Sequence, residues 1–183
     1  EHKNVLAEKK SVLDRVAAAA ERREERAKKE GKAVHGILVE GLDNCLVKFS
    51  RCCTPVPGDD IIGFITRGQG VSIHRKDCQN YLRRSRQQED EGRWIRVNWA
   101  SQITDSYVTT IIIVAKDRSG LVMDIATVLN SLNAKVRNLS ARDNSGVALV
   151  VVTLEVQHLS ELRQIINRLS AVPSVTEVSR NGK

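Results

Sequence analysis

Three cysteines and one histidine between residues 52 and 78 are the side chains of this protein best suited to chemistry. Cys52 and Cys53 are adjacent in the sequence, and His74 and Cys78 follow with three residues between them. Zinc prefers thiolate and imidazole ligands in a tetrahedral set, and these four residues supply three sulfurs and one nitrogen. A zinc site is therefore one interpretation of the cluster.

The adjacent pair of cysteines complicates that interpretation. Neighbouring residues on an extended strand point to opposite sides, so both thiols reach one metal only where the backbone turns sharply. The following segment, Thr54-Pro55-Val56-Pro57-Gly58, has the composition of such a turn. The most specific zinc signatures use Cys-x-x-Cys pairs, and this spacing is different.

Two other interpretations of the cluster stay open. In the first, Cys53 packs as a small buried apolar residue while Cys52, His74 and Cys78 line a polar surface. In the second, the same three residues hold a catalytic metal, with an acid or base supplied by Asp59, Asp60 or Asp77. The fourth cysteine, Cys45, has no partner at ligand spacing and is expected in the core.

Positive charge is concentrated around the same residues. The formal net charge is +7 and the sequence pI is about 9.5. Between Arg67 and Arg86 lie six basic residues and one acid, Asp77. The cations that flank the cysteine cluster, and that we expect to contact RNA phosphates, are Arg51, Arg67, Arg75 and Lys76. The alternative is an ordinary solvated basic surface.

The composition of the chain indicates a folded protein outside the membrane. Of the 183 residues, 41% are hydrophobic and 28% charged. No apolar run approaches the roughly 18 to 20 residues that cross a bilayer, and the amino-terminal residues lack the apolar segment of a secretion signal. We therefore expect a cytoplasmic location and, in that compartment, reduced thiols or a metal site rather than disulfides.

The elements that would position these residues fall into three stretches. Residues 1–33 predict a long, highly charged helix from about Asn4 to Glu30 that serves as a linker. Residues 34–99 predict a small domain of short strands. Its strands are expected around Ile37 and Val39, at Ile61 to Ile65, at Val71 to Ile73, and across Ile95, Val97 and Trp99.

Residues 100–183 predict a third unit with the order βαββαβ. The strands are expected at Tyr107 to Ala115, Val136 to Arg142, Val147 to Val156 and Val175 to Ser179. Apolar residues at helical spacing follow the first and third strands, and Asp143-Asn144-Ser145-Gly146 has the composition of a hairpin turn. This order is the ferredoxin-like arrangement, so the fold class is α+β.

Two stretches carry a family resemblance. LVKFSRCCTPVPGDDIIGFITRGQGVSIHRKDC, from Leu46 to Cys78, resembles the conserved-cysteine module of RelA/SpoT homologues, also called a zinc-finger or ribosome-intersubunit domain. VAKDRSGLVMDIATVLN, from Val114 to Asn130, resembles an ACT domain. The resemblance implies the non-catalytic regulatory region of a guanosine tetraphosphate synthetase/hydrolase. Its implied partners are the ribosome, ribosomal RNA and the catalytic domains of the parent protein.

The resemblance also implies a ligand site in the third unit. ACT domains bind small molecules at the turn after the first strand, often between two paired domains, and the matching residues are Asp117, Arg118, Ser119, Gly120 and Leu121. A small amino acid, with branched-chain amino acids as first candidates, is the expected ligand, and a homodimer is the expected assembly. Alternatively, Asp117 caps the helix and Gly120 only eases packing.

A rival interpretation treats the chain as a stand-alone amino-acid sensor or dimerisation module without RNA binding. It predicts ligand binding and no association with ribosomes. The concentration of cations beside the cysteine cluster argues against it.

Overall fold

Short apolar runs between Ile37 and Trp99 form two small sheets around one core. The computed structural model describes residues 35–39, 45–68 and 70–180, so the predicted helix between Asn4 and Glu30 lies outside the described residues. The elements of this first half are β1 (Ile37–Val39), β2 (Val47–Phe49), β3 (Ile61–Ile65), β4 (Val71–Arg75), α1 (Gln79–Arg84), a 3₁₀ turn (Gln88–Asp90), β5 (Trp94–Ile95) and β6 (Val97–Trp99).

Strand β4 is the central element of the first half. It pairs in parallel with β2 and antiparallel with β3, giving the order β2-β4-β3-β5, while β1 pairs with β6. Val71 and Ile73 point into the core, and the alternation of a strand places Ser72 and His74 on the opposite face. The core of this half consists of Ile37, Val47, Ile61, Val71, Ile73 and Val97.

The sequence-based assignments of strands and helices need three corrections in this half. The predicted strand across Ile95, Val97 and Trp99 is two strands, because Ile95 pairs with β3 whereas Val97 and Trp99 pair with β1. Strand β2 and helix α1 were not predicted. They span three and six residues, which is too short for hydrophobic periodicity to show.

The second half is a four-stranded antiparallel sheet with two helices on one face. Its elements are β7 (Tyr107–Lys116), α2 (Leu121–Ser131), β8 (Lys135–Asn144), β9 (Val147–Val156), α3 (Leu159–Ser170) and β10 (Val175–Arg180), and the strand order is β10-β7-β9-β8. The predicted α+β class and ferredoxin-like order are confirmed. Ser145 and Gly146 both have positive φ, 54° and 83°, as a two-residue type I′ hairpin requires.

The loop of residues 54–59 is one of the contacts between the two halves, beside those that Tyr107 makes with His35, Phe49 and Trp99. Val56 is fully buried within the core of the ferredoxin-like half, and the Leu159 amide donates a 2.8 Å hydrogen bond to the Pro57 carbonyl. Gly58 has φ 99°, and a Cβ there would lie 3.1 Å from the Leu159 Cβ. Only glycine combines that backbone conformation with so close an approach. The loop that follows the cysteines is therefore built into the second half.

Candidate metal centre

A tight turn brings the adjacent cysteines to one side of the backbone. The Thr54 amide donates to the Ser50 carbonyl at 2.9 Å, and residues 51–53 form the turn between them. Thr54 itself has φ 40°, which is unusual for a β-branched residue. Cys52 and Cys53 are thus not on an extended strand, and the geometric objection to a shared metal does not apply.

The four predicted ligands converge on one point. The Cys52, Cys53 and Cys78 Sγ atoms and a ring nitrogen of His74 all lie within 4.8 Å of one another. His74 Nδ1 is 3.4 Å from Cys52 Sγ and 3.9 Å from Cys53 Sγ, and the Cys52 and Cys78 sulfurs are 3.5 Å apart. Ordinary zinc bond lengths in a tetrahedron put such donor atoms about 3.5–3.8 Å apart. The donor set therefore fits zinc in both chemistry and spacing.

The ring of His74 is held by a pair of serines. Its Nε2 lies 2.7 Å from Ser50 Oγ, which lies 2.7 Å from Ser72 Oγ, while Nδ1 faces the sulfurs. Metal-binding histidines typically use the second ring nitrogen in this way, which fixes the ring and its tautomer. Burial, reinforced by the positive charge of Arg84, lowers the pKa of His74 to about 4. At neutral pH the ring is neutral and can donate a lone pair.

The thiols are buried to different degrees. Cys53 and Cys78 are fully buried and Cys52 is partly exposed. Burial is the largest cause of a raised pKa at both Cys52 and Cys53. A bound dication reverses this preference, because it stabilises the thiolate directly. Cys45 packs against the core of the first half, as predicted, and is half-buried.

The aspartates proposed for a catalytic metal are engaged elsewhere or point to solvent. Asp59 is ion-paired with Arg180 at 2.7 Å, Asp77 with Arg75 at 2.7 Å, and Asp60 is exposed. With three sulfurs and one nitrogen already converging, a tetrahedral metal would have no open position for substrate. The geometry therefore favours a closed structural site over a catalytic one.

The predicted RNA-binding residues divide into two groups. Arg51, Arg67 and Lys76 are exposed. Arg75 is only 2% exposed, and its guanidinium donates to both carboxylate oxygens of Asp77 and to the Cys53 carbonyl. The expectation that Arg75 contacts phosphate is corrected by this burial. Arg75 instead supports the turn that carries Cys53.

The predicted amino-acid site lies at the start of α2. Gly120 precedes the helix with φ 81°, and no side chain caps the helix; Asp117 is exposed, and its amide donates to the Gly146 carbonyl. Arg118 reaches across to Ser174 Oγ at 3.1 Å and Asp124 at 2.5 Å. Ser119 is exposed, whereas the Leu121 side chain is buried in the core. The helix start has no side-chain cap, but the Leu121 amide donates to the Arg118 carbonyl at 3.3 Å and the Leu121 side chain offers no surface for a ligand.

Comparison with known proteins agrees with this division of the chain. Residues 37–100 match the RelA/SpoT RIS domain and residues 104–180 match the ACT domain. The chain belongs to the RelA/SpoT family. The two matched domains form a regulatory region, and neither is catalytic. The predicted boundaries at residues 33 and 99 remain predictions.

Several curated relatives are similar to this chain over a length that includes both domains. The chain is 36% identical over 146 residues to GTP pyrophosphokinase of Escherichia coli K12, an alignment covering 79% of this chain and 19% of that protein. Identity to the Streptomyces coelicolor GTP pyrophosphokinase is 36% over 154 residues, covering 84% of this chain and 18% of the relative. The chain thus spans about a fifth of the length of these relatives.

A solved structure covers the ACT domain alone. The crystal structure of the ACT domain from GTP pyrophosphokinase of Chlorobium tepidum has a TM-score of 0.39 and 21% identity, covering 42% of this chain and 99% of that chain.

Within the described part of the RIS–ACT chain, no helix is both long and apolar enough to cross a bilayer.

Several residues around the candidate metal centre of the RIS domain were not predicted from the sequence. Ser50 and Ser72 hold His74, and Ser72 lies on a predicted strand two residues before His74, which was a usable signal for one of them. Arg84 and Arg93 lie over the Phe64 ring, 4.7 and 4.3 Å from its centroid, and both bind the buried Asp90. Nothing in the spacing of these residues along the chain indicates that cluster.

Proposed function

We propose that this RIS–ACT chain is a zinc-stabilised regulatory region that binds structured RNA and transmits ribosome state to the catalytic domains of its parent protein. The observation that carries the proposal is the convergence of three thiols and one imidazole nitrogen, with exposed Arg51 next to Cys52 and exposed Lys76 between His74 and Cys78. A small, cross-linked domain with fixed cations suits recognition of RNA by shape and charge.

Zinc would be held by Cys52, Cys53 and Cys78 through sulfur and by His74 through Nδ1. When bound, it would supply a structural cross-link between the turn after β2, the end of β4 and the start of α1. The RIS domain needs such a link because its sheet strands are at most five residues long and its core is small.

Metal analysis of the reduced protein tests the zinc site. We expect about one zinc per chain and its loss in Cys78→Ser, because a tetrahedral site needs all four ligands. Cys45→Ser is the matched control, since Cys45 is a half-buried cysteine of the same domain outside the cluster. Equal zinc content in both variants, or no zinc in the reduced parent chain, would remove this part of the proposal.

The RNA-binding surface would consist of Arg51, Arg67 and Lys76, with ribosomal RNA as the target. Each phosphate contact contributes roughly 0.7–0.9 to the slope of log affinity against log salt concentration. Replacing Arg67 and Lys76 together by Glu should weaken ribosome binding and flatten that slope by about 1.4–1.8. Arg142→Glu, an exposed change on strand β8, is the control. Undiminished binding by the double variant would leave the patch as a solvated surface.

The catalytic domains of the parent protein are the proposed recipients of the signal. The relatives above are GTP pyrophosphokinases, and this chain corresponds to about a fifth of their length. In such a parent, the Arg67→Glu, Lys76→Glu variant should lose stimulation of guanosine tetraphosphate synthesis by stalled ribosomes. Basal synthesis should stay unchanged, because the substitutions lie outside the catalytic domains. The cytoplasmic location stays a prediction.

Amino-acid sensing and pairing of ACT domains form the second part of the proposal. The supporting observation is the uncapped start of α2 at Gly120, whose backbone amides suit a carboxylate. A branched-chain amino acid at a hundred times its dissociation constant would stabilise the chain by about 2.7 kcal/mol. Thermal unfolding with valine, leucine and isoleucine, with sedimentation to detect a dimer, tests it. Unchanged unfolding and a monomer would count against both.

A further inference from the structure

The strained residue of the metal turn is held from outside its own domain. Thr54 follows Cys53 directly, and its φ of 40° is what lets the chain fold back after the two thiols. A β-branched residue keeps such a conformation only where surrounding contacts enforce it. Those contacts determine how well Cys52 and Cys53 are placed for a shared ligand.

The ACT domain supplies the contacts to the Thr54 hydroxyl and carbonyl, whereas the Thr54 amide donates to Ser50 within the turn. Arg180, at the end of β10, donates from Nη2 to the Thr54 carbonyl at 3.0 Å. Thr109, fully buried on β7, lies with its Oγ1 3.0 Å from Thr54 Oγ1 and donates to the Thr54 carbonyl at 3.4 Å. Strands β7 and β10 of the ACT sheet therefore both form hydrogen bonds with Thr54, the residue next to the predicted ligand Cys53.

A buried ion pair completes this attachment. Arg180 binds both carboxylate oxygens of Asp59, at 2.7 and 2.9 Å, and the two side chains are only 10% and 7% exposed. Asp59 Oδ2 also accepts a 2.8 Å hydrogen bond from the Val56 amide. Arg180 thus binds both ends of the loop, through a hydrogen bond to Thr54 and an ion pair with Asp59.

We propose that Arg180 and Thr109 of the ACT domain are positioning residues of the RIS metal centre, an inference that rests on the zinc site proposed above. They act through Thr54 and touch no ligand atom of the centre. Because coupling between sites is reciprocal, zinc binding then strengthens the attachment of the RIS loop to the ACT domain by the same factor. The zinc affinity of the centre then depends on both domains, although all four ligands come from the RIS domain.

Zinc affinity of the whole chain tests the proposal. Removing an outer partner of a metal ligand typically weakens metal binding 10- to 100-fold. Because Arg180 and Thr109 contact the residue after a ligand and not the ligand itself, we expect a loss of about 10-fold, the low end of that range, for Arg180→Gln and for Thr109→Val in competition with a chromophoric chelator. Thr109→Ser should restore affinity, because it returns the hydroxyl. Arg137→Gln, which breaks the exposed ACT ion pair with Glu155, should bind zinc like the parent chain.

A metal-free measurement separates this inference from the zinc site itself. In the apo protein, Cys52 should react faster with a thiol reagent in Thr109→Val than in Thr109→Ser, because the turn loses its hydrogen bonds to the Thr109 hydroxyl. If the parent chain binds zinc and all variants match it, the positioning role is wrong and the zinc site stands. If the parent chain binds none, the zinc site is wrong, and equal labelling of the Thr109 variants would overturn the positioning role too. Should Arg180→Gln not fold, the Thr109 pair decides.

Discussion

Breaking the Arg180–Asp59 ion pair should destabilise the whole chain. Replacing Arg180 by Gln leaves the Asp59 carboxylate buried without its cation, a change that costs about 3–5 kcal/mol. One term opposes it: Arg180 Nε is buried without a hydrogen-bond partner among the described residues, and removing such a donor recovers about 1 kcal/mol. The net loss should be about 2–4 kcal/mol. For a chain of this size that lowers Tm by roughly 4–16 °C.

The fluorescence of the two tryptophans gives the assay a local signal. Trp99 donates from Nε1 to the Asp59 carbonyl at 3.0 Å and stacks on Phe49, so its emission reports the junction between the domains. Trp94 packs against His74 in the RIS domain. Because Phe49 and Trp99 pack against both cores, we expect one cooperative urea transition in the parent chain and a shifted transition in Arg180→Gln.

A double-mutant cycle identifies the interaction responsible. Asp59→Asn combined with Arg180→Gln should cost less than the sum of the single changes, because the second substitution removes a charge that the first left unpaired. Arg137→Gln, in an exposed pair of the same domain, should shift the transition much less. The reasoning is refuted if Arg180→Gln behaves like Arg137→Gln, or if the cycle shows the two losses to be additive.

Two further predictions concern the RIS domain. Ser50→Ala should weaken zinc binding by about 10-fold or more without abolishing it, because it removes the hydrogen bond that orients His74; chelator competition measures this, and unchanged affinity would contradict the orienting role. Gly70→Ala should destabilise far more than Gly68→Ala in urea unfolding. Both glycines have positive φ, but a Cβ at Gly70 would lie 2.1 Å from the Leu46 carbonyl oxygen, whereas one at Gly68 meets nothing. Equal losses would mean that the backbone conformation alone sets the cost.

The sequence predicts the ACT half well because its elements are long. Strands of ten residues and helices of eleven and twelve show the periods of two and 3.6 clearly, and the turn at Ser145-Gly146 has a composition specific to its type. The RIS half has strands of two to five residues, so β2 and α1 leave no periodic signal. The four converging side chains were still found, because residue type rather than periodicity identifies ligands.

Contacts between the domains are the part that sequence patterns do not predict. Asp59 and Arg180 are 121 residues apart in the sequence, and neither has a neighbour whose type or spacing marks it as half of a pair. The same holds for Thr54 and Thr109, whose hydroxyls meet only because the loop enters the ACT core. Long-range pairs of this kind depend on how two folded units dock.

Charge counting gives the clearest example of what the fold changes. The six basic residues between Arg67 and Arg86 suggest a uniformly phosphate-binding surface. In the structure Arg75 is buried against Asp77, and Arg84 is ion-paired with Asp90 while it lies over Phe64. Part of the positive charge therefore holds the RIS domain together and is compensated internally. The number of RNA contacts, and with it the salt dependence of binding, should follow the exposed cations such as Arg67 and Lys76 and not the count of basic residues.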